Sequence, residues 1–263
     1  MKGAYIEIAR KTLLEGLAFR VNTLIGILDT VILIAVNVAI WKAVYASTGT
    51  LQTVSLEDTI TNTLFAIGIS QAFWMDEYSI AHKIRTGAIT NDILRPMHFG
   101  GMILAADIGR AGYRLLVEFL PAFVICALLF GLSAPASALA LPLFVLSMAM
   151  SFLVLHSIGL IMSYISFWYF NIFSFVTIKN AAVLVLSGAY IPYWFMPDWM
   201  MAFVRASPFQ AIYSAPMSIW LGHVNGSSVL YGLAKQALWI VALQLCAQAL
   251  WVLGRRKLAV NGG

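Results

Sequence analysis

Charged side chains are scarce in this sequence: Lys, Arg, Asp and Glu together make up 10% of its 263 residues. A soluble domain carries about 25%, and the 61% of this chain that is apolar cannot hide behind so thin a polar surface. Cysteine is nearly absent. Cys126 and Cys246 both sit in apolar runs with no CxxC spacing, which excludes a disulfide framework or thiolate metal centre and predicts two buried thiols. No Gly-Lys pair occurs, so there is no G-x-x-x-x-G-K-[ST] loop to cradle phosphates. G-x-S-x-G and H-E-x-x-H are missing as well. His82, His98, His156 and His223 stand far apart; His156, alone in an apolar run, reads as a hydrogen-bonded packing residue. Without a nucleophile–base set an intramembrane enzyme is disfavoured, and no metal site is expected. The first 20 residues are charged and lack the compact apolar stretch of a cleavable signal peptide.

What the chain has instead is apolar length. Six runs approach the roughly 20 residues that cross a hydrocarbon core: about Leu24–Tyr45, Leu56–Trp74, Tyr113–Leu132, Leu139–Ser163, Ile172–Ala189 and Val229–Leu253. The expected fold is all-α and polytopic, one transmembrane domain over residues 1–263 with six transmembrane helices, and the lipid bilayer is its first partner. Ahead of the first run, residues 1–22 are amphipathic. Ile6, Ala9, Leu13 and Leu17 share one helical face and Glu7, Arg10, Lys11 and Glu15 another, with Glu7 and Lys11 at the i,i+4 spacing. This segment reads as an interfacial helix. Twelve of the 16 Lys and Arg fall in three stretches, residues 2–20, 83–114 and 255–257, which six spans would place on one side. By the positive-inside rule that side is the cytoplasm, with both termini there. The net charge of +5 is accounted for by these loops, so no nucleic acid is implied.

Residues 191–227, external in this topology, are too apolar for a free loop. One short helix is expected after Pro197. A second is expected with Ser207 as N-cap, Pro208 at its first position and Gly222 just past its end. Each is too short to span comfortably, so both read as interfacial or re-entrant. Tyr193, Trp194, Trp199, Phe203, Tyr213 and Trp220 suit a belt at the headgroup level. Four charges fall within the runs: Asp29, Arg114, Glu118 and Lys179. Such residues are costly and often functional, but all four lie toward the cytosolic side, where snorkelling or pairing explains them; Arg114 and Glu118 are one turn apart and able to pair. The second run carries Thr59, Thr61, Asn62, Thr63, Ser70 and Gln71. That polar load serves either as interhelical glue or as the lining of a passage.

The pattern resembles the membrane subunit of ABC transporters of the ABC type 2 exporter permease class, over nearly the whole chain. The amphipathic N-terminal helix, six spans and the cytosolic loop between spans two and three carry the resemblance. So do "LSGAYIPYWFMPDWMMAFVRASPFQAIYSAP" after span five and "GAITNDILRP" in the loop. The resemblance implies that a short helix in residues 82–98 rests in a groove on a separate ATPase dimer, which binds ATP and Mg while this chain binds no cofactor. Gly87 supplies an unusual backbone conformation, Thr90 or Asn91 caps a turn, and Pro96 ends it. Arg85, Asp92 and Arg95 would pair with the ATPase while Ile89, Ile93 and Leu94 fill its groove. It further implies a second permease, identical or related, a passage lined by Asn62, Ser70 and Gln71, an outer gate built around Pro192, Pro197 and Pro208, and residence in the bacterial cytoplasmic membrane. The rival reading is a secondary transporter driven by an ion gradient, which would need a midplane acid pair and inverted repeats. A non-transporting scaffold is disfavoured by the coupling loop.

Overall fold

In lipid every backbone amide must find its partner within the chain, so long apolar runs fold as helices. The computed structural model describes residues 2–48 and 54–261, and no strand occurs among them. The helices are α1 (Lys2–Leu17), α2 (Arg20–Thr48), α3 (Leu56–Ala72), α4 (Glu77–Arg85), α5 (Ile89–Ile93), α6 (Phe99–Tyr113), α7 (Leu120–Phe130), α8 (Ala140–Ile165), α9 (Phe173–Leu186), α10 (Asp198–Ala206), α11 (Ser214–Trp220) and α12 (Ser227–Asn261). A π-helical segment, Arg114–Phe119, joins α6 to α7 without a break.

Among the described residues four helices are long and apolar enough to cross a membrane: Arg20–Ser47, Phe99–Phe130, Ala140–Ile165 and Ser227–Lys257. The second and fifth expected spans are shorter. They correspond to α3 with 17 residues and α9 with 14, because the apolar run at each site continues into non-helical backbone. The third expected span begins earlier than its apolar run, at Phe99.

Glycines explain that early start. α1 lies along α6, and Gly109 is where their backbones meet: an added Cβ would collide with the carbonyl oxygen of Ala9. A Cβ on Gly16 would stand 2.6 Å from the Tyr113 ring, and one on Gly101 3.0 Å from Tyr5. Small residues allow such close approach. The packed side of α1 takes in Ala9 and Leu13 of the expected face together with Tyr5, Ile8, Thr12 and Gly16, while the other two expected residues, Ile6 and Leu17, are exposed. Glu7 pairs with Arg10 at 3.1 Å, and Lys11 with Glu15 at 4.0 Å, in place of the expected Glu7–Lys11 pair. Gly109→Leu is expected to lift α1 from α6 and cost about 1–3 kcal/mol, read as an earlier thermal midpoint in detergent. Gly3→Leu, with nothing within 4 Å of its new Cβ, should leave the midpoint unchanged.

One end of the molecule collects α1, α4, α5, the start of α6, the 166–171 loop and the end of α12. Tyr5 Oη accepts from the His98 amide at 3.0 Å. Arg85 lies over Phe170 and Lys257 over Trp168, at 5.3 and 5.6 Å from the ring centroids. The other end holds the connection between α9 and α12. As expected, α10 follows Pro197, and Gly222 takes φ +72° past the end of α11. The second expected helix divides into a 3-10 turn, Pro208–Ala211, and α11. Ser207 stands at the N-cap of that turn and Pro208 at its first position, as expected, but the Ser207 side chain makes no capping bond: its hydroxyl donates backwards to Val204 O at 2.9 Å. Two residues expected at the headgroup belt are core instead: Tyr213, and Trp220, whose ring packs on Phe65 and Phe144 at 4.7 and 5.0 Å. Trp199 and Phe203 are exposed. Cys126 is buried, but Cys246 is exposed on α12, since an apolar run does not distinguish an inward face from an outward one.

Candidate functional site

The loop between α3 and α6 builds a small folded unit. Asp76 caps α4 by accepting from the Ser79 amide at 3.1 Å, and His82, Lys83 and Arg85 occupy its last turn, where cations complement the helix dipole. Gly87 reverses the chain at φ +74°; nothing lies within 4 Å of an added Cβ, so the backbone conformation, and not space, requires glycine. α5 then runs for five residues with Ala88 at its N-cap and no side-chain cap. Neither Thr90 nor Asn91 fills that role, a correction that follows from the helix starting earlier, at Ile89.

The inner side of this unit is closed. Ile89 is fully buried, so it cannot enter a partner's groove as expected; it packs in a core with Ile80, Phe99 and Met102. Asp92 is committed within the chain as well, accepting from Lys83 at 2.8 Å with Arg95 at 3.7 Å. The outer side is open. Leu94 is 78% exposed and Ile93 40%. Arg95 and Pro96 are exposed beside them, and Arg85 leans on Phe170. The result is an apolar tip, Ile93–Leu94, flanked by arginine and braced from beneath.

The polar load of α3 divides by position. Asn62 is buried and donates to Gly188 O at 3.2 Å, tying α3 to the turn after α9; here the polar side chain is glue. Ser70 donates to Ile67 O within its own helix at 2.7 Å. Gln71 donates to the Asp29 carboxylate at 2.8 Å in exposed surroundings, bringing together two expected site residues from α2 and α3.

Arg114 and Glu118 form no ion pair among the described residues. The π-helical turn breaks the i,i+4 stacking, Arg114 donates to Trp74 O at 2.9 Å, and both side chains line a cleft against α1. Lys179 pairs with Glu77 at 2.6 Å, with side chains 12% and 1% exposed, joining α9 to the first turn of α4. Pro192 and Pro208 precede or open 3-10 turns, and Pro197 stands at the N-cap of α10.

Three polar groups were not anticipated. Asp107 on α6 is buried; it pairs with Arg110 and lies 2.7 Å from His156 Nδ1 on α8. Glu77 is the second. The third, Gln236 on α12, receives the Ser147 hydroxyl at 2.9 Å and donates to Ser147 O, Ser151 Oγ and Ala211 O at 3.1, 3.2 and 2.8 Å. Each is a polar residue inside or beside an apolar run, a signal present in the sequence that named no partner. No group of three or more His, Cys, Asp or Glu able to hold a metal occurs among the described residues.

The model of a family described as ABC-2 family transporter protein matches residues 31–262. No curated protein and no solved structure matches the chain.

Proposed function

Because the chain belongs to the ABC-2 family of transporter proteins, a membrane component of ABC transporters, we propose that it is the permease subunit of an ATP-driven exporter and couples to a separate ATPase dimer that binds ATP and Mg. In this reading α3 and α9, extended by their flanking segments, complete six spans in the bacterial cytoplasmic membrane. The end that gathers α1, α4 and α5 faces the cytoplasm, with both termini. A second permease, identical or related, supplies the other half of the passage. The exposed Asp29–Gln71 pair lines that passage, and the turns at Pro192, Pro197 and Pro208 form its outer gate.

The observation that carries the proposal is the braced unit at α4–α5. A loop that only joined two spans would have no reason to present exposed Ile93 and Leu94 on a tip held by a buried isoleucine and an ion pair. A rigid tip of this form transmits motion from a partner to the spans. Leu94→Asp combined with Arg95→Glu is expected to cut recovery of the ATPase with the permease by about tenfold or more, since seating an unpaired carboxylate in an apolar groove costs well over about 1.4 kcal/mol. Asn225→Asp, exposed at the opposite end, should leave recovery intact. The measurement is pull-down at matched membrane abundance, and wild-type recovery with the double variant would withdraw the docking assignment.

The Asp107–His156 contact is the observation that favours a secondary transporter, because titratable pairs inside membrane helices serve proton relays. An ATPase-inactive partner separates the two readings: it stops export in the first and leaves a proton-driven flux untouched in the second.

A further inference from the structure

We propose that a cavity of about 250 Å³ between α6, α8 and α12 binds a phosphate ester that carries an ammonium or hydroxyl group, the chemistry of a phospholipid head group. The site stands apart from the proposed passage and does not depend on the transport reading.

Two buried side chains line this cavity with polar atoms that the protein does not satisfy. His156 is 1% exposed and Tyr164 3%, and both face the cavity. Among the described residues the one hydrogen bond of the His156 ring joins Nδ1 to the Asp107 carboxylate. Among the described residues its Nε2 has no partner, and neither has the Tyr164 hydroxyl. Neither atom is among the enclosed unpaired side-chain atoms of the protein; each opens on the cavity, so whatever fills the cavity supplies its partner. Two largely buried side chains that turn unpartnered polar atoms into one cavity mark it as a place where a polar ligand is held.

The lining also states what enters. His98 Nδ1 accepts from the Gly101 amide at 3.2 Å, so in the neutral ring the proton sits on Nε2, a donor. The Gly100 amide, in the first turn of α6, has no acceptor among the described residues. Such first-turn amides, with the helix dipole behind them, favour an oxyanion. The Tyr164 hydroxyl and the Gln248 amide add further donors. At the other end of the cavity the roles invert. Asp107 holds the Nδ1 proton of His156, which in the neutral ring leaves Nε2 as an acceptor. Donors at one end and an acceptor at the other fit a phosphate ester whose far group carries N–H or O–H.

A lipid source is favoured by the walls. The cavity lies between three helices of membrane-crossing length. Ile108, one turn beyond the lining Leu104, is 49% exposed, and Leu245, beside the lining Gln244, is 66% exposed. Acyl chains leaving the cavity would run along these residues.

The test is calorimetric titration of the purified, delipidated full chain in detergent with three probes: dihexanoylphosphatidylethanolamine, O-phosphoethanolamine and dihexanoylglycerol. The phosphate-bearing lipid is expected to bind. Tyr164→Phe and Gln248→Leu, which keep the ring packing and alter an exposed side chain respectively, should each weaken it by about tenfold, the loss of one hydrogen bond to a charged group. Ser218→Ala, outside the cavity, should not. Tighter binding of the lipid than of O-phosphoethanolamine assigns a head-group site; equal binding assigns a soluble phosphate ester. The proposal is overturned if neither phosphate probe binds, if dihexanoylglycerol binds as well as the phospholipid, or if both cavity variants bind like wild type.

Discussion

Lys179→Met is expected to destabilise the protein by about 3–5 kcal/mol, because it leaves the Glu77 carboxylate buried without its cation. Glu77 is 1% exposed, and one of its oxygens already has no partner among the described residues. The pair is thus an incompletely satisfied ion pair in a low-dielectric setting, where neutral replacement of both members is often harmless or better. The double variant Glu77→Met with Lys179→Met should therefore recover the loss and match or exceed wild type in denaturant or thermal unfolding in micelles. A double variant as unstable as Lys179→Met alone would show that packing, and not charge, sets the cost. The pair joins α9 to α4, so under the proposed coupling to an ATPase the double variant should also separate stability from coupling: it should fold well yet transport poorly.

Gln236→Leu is the second large effect. Four hydrogen bonds converge on this buried amide from α8 and the turn at Ala211, and leucine would leave the Ser147 hydroxyl unmet and take one donor each from Ser147 O, Ser151 Oγ and Ala211 O, the two carbonyls keeping the Ser151 hydroxyl as a donor. At about 1–3 kcal/mol for an unmet buried group and about 1 kcal/mol for each further bond lost, a loss of about 3 kcal/mol is expected. Gln244→Leu offers the comparison: its single bond, to Ser157 at 3.0 Å, should cost about 1 kcal/mol. Unfolding midpoints of the two variants, measured side by side, check the ratio. Equal losses would mean that the Gln236 network is not cooperative.

Much of this was legible in the residues. Apolar length gave the all-helical membrane fold, and Gly87, Pro197 and Gly222 punctuated the chain where local backbone chemistry said they should. Partner choice was not legible. Asp107 and His156 are 49 residues apart, Glu77 and Lys179 102, Ser147 and Gln236 89, and a single sequence holds no periodicity that links them. The α5 turn failed for a different reason. A five-residue helix is too short for an amphipathic pattern to emerge, so buried Ile89 and exposed Leu94 looked alike. Hydropathy also overestimated α9, because it registers greasiness and not backbone hydrogen bonding. Asn62 read equally as glue or lining until Gly188 was found against it.

The π-helical turn at Arg114–Phe119 acts as a phase shift. Each residue of an α-helix advances the rotation by about 100°, and a π turn accommodates one residue more than an α turn. Upstream, the long helix presents its glycine seam to α1; downstream, it buries Ala122 and Cys126, the latter against Ile34 and Ile60 of α2 and α3. A chain shorter by one residue in this segment would form a straight α-helix and swing Ala122 and Cys126 by about a quarter turn away from that core, with exposed Leu128 and Leu129 carried round with them. The length of this one turn is therefore a structural invariant: side-chain changes there are negotiable, whereas a deletion rewrites which helices are neighbours.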